Sequence, residues 1–238
     1  MTTISNSDVI TASTACNKES NWDTSAFKRL LERKWDVNSN YGHIGDALCM
    51  AVGASKAPLV QFLLDHGADP NANLRGETYT PLELSAVVKA DLEIMALLLK
   101  HGAVFRGRSV MLLAACAGRV DMLDMLVSAG ASVDALPDNE DVYDNARERD
   151  DWGTPLHGAA GNNQAKTVEW LLSKGASIGI KNYVGLTPKE VADKKGHLEW
   201  TPTRLSGLRL RIEAWQGELR RLLEMFEFLV VVERHRLD

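Results

Sequence analysis

Apolar residues recur along the chain in short clusters of helical period, each ended by a turn signal. The densest clusters close on paired aliphatics followed by Gly-Ala: FLLDHGADPN at 62–71, LLLKHGAV at 97–104, MLVSAGAS at 125–132 and WLLSKGAS at 170–177. RLLERKWDVN at 29–38 is a worn copy, with Lys34 and Trp35 in the Gly-Ala slots. Position 34 and Gly67, Gly102, Gly130 and Gly175 are separated by 33, 35, 28 and 45 residues. Such spacing is a repeat with one shortened and one lengthened connection. The leucine pairs predict the inward face of a helix. The glycine predicts a left-handed turn after it, where a Cβ costs about 1 kcal/mol. Lys34 in that slot predicts a looser helix end in the first repeat.

A second landmark stands about 17 residues before each leucine pair. It reads TPLHGAA at 154–160, TPLELSA at 80–86 and LTPKEVA at 186–192, with weaker forms GDALCMAV at 45–52 and RSVMLLAA at 108–115. Thr caps the first free N–H groups of a helix, and Pro fits its first turn without losing a needed donor. The small Ala pair lets neighbouring helices approach closely. Each unit is therefore helix, tight turn, helix, Gly-Ala, loop.

These motifs resemble the ankyrin repeat, patterned G-x-TPLH-x-AA, an apolar LL helix, then G-AD-x-N. The likeness is closest at 153–177 and 46–71, fair at 80–104 and 109–134, and partial at 10–38 and 182–199. It implies an all-α solenoid of about six stacked helix pairs over residues 1–199, with degenerate first and last units. It also implies a concave face of loop tips and first helices that usually binds proteins. His157 falls on the family histidine that hydrogen-bonds neighbouring loop backbone.

Three segments depart from the pattern. Val104 to Arg108 is a short loop, which predicts a notch in the concave rim flanked by Arg106 and Arg108. A long insertion, 136–152, holds Asp138, Glu140, Asp141, Asp144, Glu148, Asp150 and Asp151 against Arg147 and Arg149. It reads either as a solvated loop or as an acidic flap carrying Tyr143 and Trp152, which engages a basic partner or folds towards Arg106 and Arg108. Over 200–238, Leu208, Ile212, Trp215, Leu219, Leu222, Phe226 and Leu229 step by four and three, a heptad seam on one helix. That helix either caps the stack or mediates self-association or partner binding.

Composition narrows the function classes. The chain has 45% hydrophobic and 25% charged residues, ordinary for a globular protein, and its net charge of −5 argues against a broad nucleic-acid-binding face. Neither a secretory signal nor an apolar run of about 18 residues is present. Three dispersed cysteines and no zinc spacing suggest a reducing compartment, cytosol or nucleus, with no cofactor or metal. Cys16 and Cys49 are 33 residues apart and are expected in the same repeat slot as His157, as small buried fillers. Cys116 is the one thiol placed near the groove and worth testing for reactivity, although a packed cysteine is favoured. His66 and His101 sit at helix ends, where an imidazole suits the carbonyl end. No nucleotide-binding, metalloprotease, hydrolase or EF-hand motif occurs, so no enzyme is expected.

The first expectation for function is a protein-interaction module, an adaptor or scaffold, with the partner unidentified. The repeat slots assign its groove to Tyr41, His43, Arg75, Glu77, Tyr79, Arg106, Arg108, Cys116, Trp152, Asn162, Tyr183 and Lys194. The alternative is a recruited small-molecule binder or non-standard enzyme with a pocket near the 104–108 loop and the insertion, using Arg106, Arg108, Tyr143 and Asp151. Nucleic-acid and membrane partners are not expected.

Overall fold

The computed structural model describes residues 4–40, 46–72, 79–88, 90–105, 109–138 and 149–197. These form eleven helices and, among the described residues, no strand. The helices are α1 (Asn6–Ala15), α2 (Ser25–Glu32), α3 (Ala47–Gly53), α4 (Ala57–Asp65), α5 (Pro81–Val87), α6 (Leu92–Lys100), α7 (Val110–Cys116), α8 (Val120–Ser128), α9 (Pro155–Gly161), α10 (Ala165–Ser173) and α11 (Pro188–Lys194). The 200–238 segment lies outside the described residues, as do both readings of it.

Helices of seven to ten residues are too short to hold in isolation, so packing must supply their stability. The odd-numbered helices stack on one another in chain order, and α4, α6, α8 and α10 form a second row behind them. The ring of Phe27 on α2 lies 6.4 Å from that of Phe62 on α4, which extends the second row to the first repeat. One continuous apolar core runs between the rows, from Val9 to Ala192. The Thr-Pro starts work as expected. Thr80 and Thr187 each accept the N–H of the third helical residue and form a capping box with Glu83 and Glu190. Asp46 caps α3 instead, accepting the Cys49 N–H at 2.7 Å.

The turn after each second helix is the same throughout. Gly102 (φ +88°) donates to Leu99 O at 3.1 Å, and Ala103 donates to Leu98 O at 2.9 Å. Lys34 takes the same left-handed conformation (φ +62°), and the matching bonds to Leu31 O and Leu30 O close at 2.8 and 3.0 Å. The looser end expected there is therefore absent. Trp35, buried with its ring 5.8 Å from that of Phe27, anchors the turn in spite of the strained lysine.

A second expectation also changes. Cys49 and His157 are both third in their helices, but Cys16 is the C-cap of α1. The first helix begins earlier and the link to α2 is longer, which shifts the register that equal spacing implied. Both Cys16 and Cys49 are buried, as apolar fillers should be.

Polar rungs tie each loop to the next. The Asn71 side chain accepts from Val104 N at 2.7 Å and donates to Gly102 O at 3.0 Å. Asn38 does the same for Asp69 N and Gly67 O. Asp134 accepts from Ser177 N at 2.9 Å, so the repeats on either side of the insertion stay joined. Helices α7 and α9 press together there. A Cβ on Gly158 would come within 2.6 Å of Leu112 Cδ1 and 2.7 Å of Cys116 Sγ.

The turn geometry sets a paired prediction. Lys34→Gly should stabilise the protein by about 0.5–1 kcal/mol in urea unfolding, by relieving a non-glycine left-handed residue. Gly102→Ala should destabilise it by about 1 kcal/mol, purely through the backbone, because nothing lies within 4 Å of the added methyl. Changes of the same sign would contradict this account of the turn.

Candidate functional site

The floor of the groove is the side of the first helices that faces away from the second row. In α3, α5, α7 and α9 the fifth and sixth residues, such as Ala51 and Val52, are buried. The fourth and seventh, with the C-cap after them, are turned away from it. Successive helices meet along this edge: a Cβ on Gly53 of α3 would touch Leu84 Cδ2 of α5 at 3.9 Å. Reading those positions from α3 to α7 gives Met50, Gly53, Ala54, Leu84, Val87, Val88, Leu113, Cys116 and Ala117. Val87 and Val88 are 39% and 38% exposed. Met50, Leu84 and Cys116 are half-buried against the core. The floor of three repeats is thus an apolar strip.

From α9 onward the floor turns polar, and the returning end of the insertion covers it. Residues Arg149–Trp152 form a tight turn closed by Trp152 N–H donating to Arg149 O at 3.1 Å. Asp151, only 3% exposed, occupies the space above Gly161, where a Cβ would come within 2.8 Å of its own. Its carboxylate accepts from Lys195 Nζ at 2.8 Å, Arg149 Nε and Nη2 at 3.2 and 3.4 Å, and Asn162 Nδ2 at 3.3 Å. Burial pushes this carboxyl up, but the hydrogen bonds from Lys195 and Arg149 and their charges outweigh it and hold it below the usual range. Asp150 pairs with Lys194 at 2.7 Å, and its carbonyl accepts from Asn182 Nδ2 at 2.5 Å. At the outgoing end of the insertion, Tyr183 donates its hydroxyl to Pro137 O. Both ends of the insertion are therefore fastened to the last repeat.

Of the residues assigned by slot, the structure gathers Trp152, Asn162, Tyr183 and Lys194 around this fastening, with Cys116 on the adjoining floor. Tyr79 is half-buried against the core. Trp152 is only 3% exposed, so its ring is part of the core and offers a partner little surface. The Arg149 guanidinium lies 5.8 Å from that ring, and Trp152 Nε1 is buried without a hydrogen-bond partner. Tyr41, His43, Arg75, Glu77, Arg106, Arg108 and Tyr143 lie outside the described residues. Slot reasoning missed Met50, Leu84, Val87 and Val88, although their register with Cys116 was available. It also missed Arg149, Lys195 and Asn182, whose pairing a tally of charges does not reveal.

Cys116 and His157 are both packed into the repeat stack. The Cys116 thiol packs against Gly158, and burial, with the nearby Asp151 charge, pushes its pKa up to about 12. At neutral pH it is held as the thiol rather than the nucleophilic thiolate. His157 is fully buried. Its Nδ1 accepts from Thr154 N–H and Oγ1–H at 3.1 and 2.8 Å, and its Nε2 donates to Leu186 O in the next repeat at 2.9 Å. Glu83 fills the same slot with reversed polarity. One oxygen accepts from Thr80, and the other accepts from Ser109 N and Oγ at 3.1 and 2.6 Å. This rung crosses the short 104–108 connection. His66 Nδ1 meets Phe62 O at 2.7 Å, as its helix-end place suggests, and His101 Nε2 lies 3.7 Å from Asp65 Oδ1, beyond hydrogen-bond distance. Among the described residues no cluster of three His, Cys, Asp or Glu suits a metal, and no helix is long and apolar enough to cross a membrane.

The His157 rung makes stability depend on pH. Burial lowers its pKa from 6.5, against the hydrogen bond to Leu186, which raises it. The unfolded chain therefore takes up a proton first as pH falls below about 6.5, and stability declines from there down to the folded pKa. His157→Asn should flatten this part of the urea-midpoint profile. An identical slope in both proteins would rule out His157 as the source.

Similarity to known proteins agrees with this architecture. The model of the family "Ankyrin repeats (3 copies)" matches residues 13–106 and 104–182. The chain is 28% identical over 211 residues to protein glp-1 of Caenorhabditis elegans, which covers 72% of this chain and 16% of that one. It is 29% identical over 141 residues to alpha-latrocrustotoxin-Lt1a of Latrodectus tredecimguttatus, covering 58% of this chain and 9% of the toxin. With ankyrin repeat domain-containing protein 37 of Mus musculus it shares 35% identity over 89 residues, 37% of this chain and 49% of that protein. The chain thus spans less than half the length of each of these relatives. With stacked helix pairs, recurrent left-handed turns and a family match over most of its length, the chain belongs to the ankyrin-repeat family.

Proposed function

We propose that this protein is a non-enzymatic interaction module, an adaptor or scaffold that holds another protein in its concave groove. Ankyrin repeats generally mediate binding to other proteins. The observation that carries the reading for this chain is the apolar strip on the groove floor, centred on the exposed Val87 and Val88. Val87 and Val88 are exposed, the half-buried Met50, Leu84 and Cys116 extend the apolar surface to the neighbouring repeats, and adjoining patches of this kind mark interaction surfaces. Groups that could carry chemistry are engaged in holding the fold: Asp151 in ion pairs, His157 in hydrogen bonds between repeats, and Cys116 in packing against Gly158. The small-molecule alternative loses Asp151 as an available base, since its carboxylate is anionic and saturated with donors. The free cysteines fit a reducing compartment, cytosol or nucleus.

The test is affinity capture from cells with the full chain, with Val87→Asn/Val88→Asn, and with Glu169→Lys on the opposite, second-helix row. Both variants should keep their thermal midpoints within a few degrees of the unsubstituted chain, since the substituted residues are exposed. The double variant should lose most of each captured partner, about tenfold or more, because removing buried apolar contacts costs 1.5–3 kcal/mol per side chain. Glu169→Lys should retain them. Partners retained by the double variant and lost by Glu169→Lys would place the binding surface on the other face.

A further inference from the structure

One turn launches the second helices. Three residues separate α3 from α4, α7 from α8 and α9 from α10. The middle one is left-handed: Ser55, Gly118 and Asn163 have φ of +52°, +74° and +53°. The last is the N-cap of the second helix, as Lys56, Arg119 and Gln164 are. Its N–H donates to the carbonyl of the fifth residue of the first helix, Gln164 to Ala159 O at 2.8 Å for example. Its side chain reaches back to the preceding repeat: Lys56 to Ser13 O, Arg119 to Ala90 O at 2.9 Å and Gln164 to Cys116 O at 3.1 Å.

The chain after α11 builds this turn in full. Gly196 is left-handed (φ +77°), His197 N–H donates to Ala192 O at 2.9 Å, and His197 Nε2 meets Gly161 O at 3.2 Å. A second helix is therefore due at Leu198, and α4, α6, α8 and α10 are each nine residues long. Pro202 falls fifth in that stretch. A proline there has no N–H to give residue 198, and its ring strikes that carbonyl. The place behind α11 is prepared, but 198–206 cannot fill it with a regular helix.

Neighbouring surfaces narrow what fills it. Packed between α7 and α11, α9 buries all seven of its residues, whereas α11 exposes Glu190, Asp193 and Lys194. The front row thus ends at α11 on a polar side. The second row does not end that way. Phe27 stands eight residues before Trp35, the slot that Val168 holds before Ala176, and its ring meets that of Phe62 on the following second helix. Val168 and Leu172 of α10 are 1% and 7% exposed, as buried as Val60 and Leu64 of α4, which α6 follows. Among the described residues no helix follows α10.

We propose that residues 206–238 dock on the flank of α10 through Leu208, Ile212, Trp215 and Leu219 and close the second row. Steps of four and three put these four side chains on one side of a helix. The eight residues 198–205 span at most about 28 Å, and packed helices lie about 8–10 Å apart, so the segment reaches α10 within its own molecule. Its seam is then part of the stack rather than a site for a second copy. The inference is independent of the groove-binding reading.

Hydrogen exchange measured by mass spectrometry tests it on the full chain, on the chain ended at Leu205 and on full-length Ile212→Asp/Trp215→Asp, with molecular mass from light scattering. The full chain should be a monomer. Both variants should exchange at least about tenfold faster in α10, since burial of one large apolar side chain is worth that much. Exchange in α4 should be unchanged, because a lost neighbour is felt mainly beside it. Exchange of α10 that is alike in all three proteins overturns the inference. So does a full-length oligomer that truncation turns into a monomer, which gives the seam to a second copy. Faster exchange confined to α3, α5 and α7 also overturns it, by placing the seam in the groove. If the truncated chain fails to fold, the full-length double variant decides on the same criteria, and equal loss of protection in α4 and α10 counts against docking at α10.

Discussion

Everything in this structure depends on the contact between one first helix and the next. A first helix of seven residues has two turns of backbone and too few internal hydrogen bonds to persist in water. It survives because the next repeat's first helix lies against it, with Ala, Gly and Ser on the facing sides. Gly158 shows how little slack there is, since a single methyl there would collide with Leu112 and Cys116. Stability in such a stack is a sum over neighbouring interfaces, so a fault in one repeat is felt mainly by its two neighbours. The polar rungs serve the same interface. Asn38, Asn71, Asp134, Glu83 and His157 each satisfy backbone or hydroxyl groups one repeat away, where no water-filled gap would do so.

That constraint explains which irregularities the fold accepts. The insertion is tolerated because Asp134 and Ser177 keep the flanking repeats joined, and closing a longer loop costs only about 0.6 kcal/mol per doubling. The strained Lys34 is tolerated because Trp35 is buried behind it. The exchange of histidine for Glu83 is accommodated because the next helix begins with Ser109, which offers donors where Leu186 offers a carbonyl. For the insertion and for Glu83 the compensating residue lies across the interface, whereas for Lys34 it is the next residue, Trp35.

This also separates what was legible in the sequence from what was not. Gly67, Gly102, Gly130 and Gly175 announced the turns, and the Thr-Pro starts announced the first helices, because both are local backbone effects written at one position. Cys16 misled, since equal spacing implies equal register only if helix lengths are equal, and α1 starts early. Trp152 misled differently. Its slot suggested a loop tip, but its ring is drawn into the core under Arg149. The fastening of Asp150 and Asp151 to Lys194 and Lys195 joins residues 44 apart, and only the stacked geometry brings them together. The apolar floor was open to inspection once Cys116 was placed, because Val87 and Val88 fall in the same register. Attention to charged and aromatic residues passed over them.

The central claim is that the floor of the first-helix row, and not the outer row, receives the partner. Hydrogen–deuterium exchange on the full chain, with and without a captured partner, tests it most directly. The account predicts added protection concentrated in peptides covering α3, α5 and α7, with α6, α8 and α10 unchanged. Protection confined to α6, α8 and α10, with the first helices exchanging as in the free protein, would contradict it.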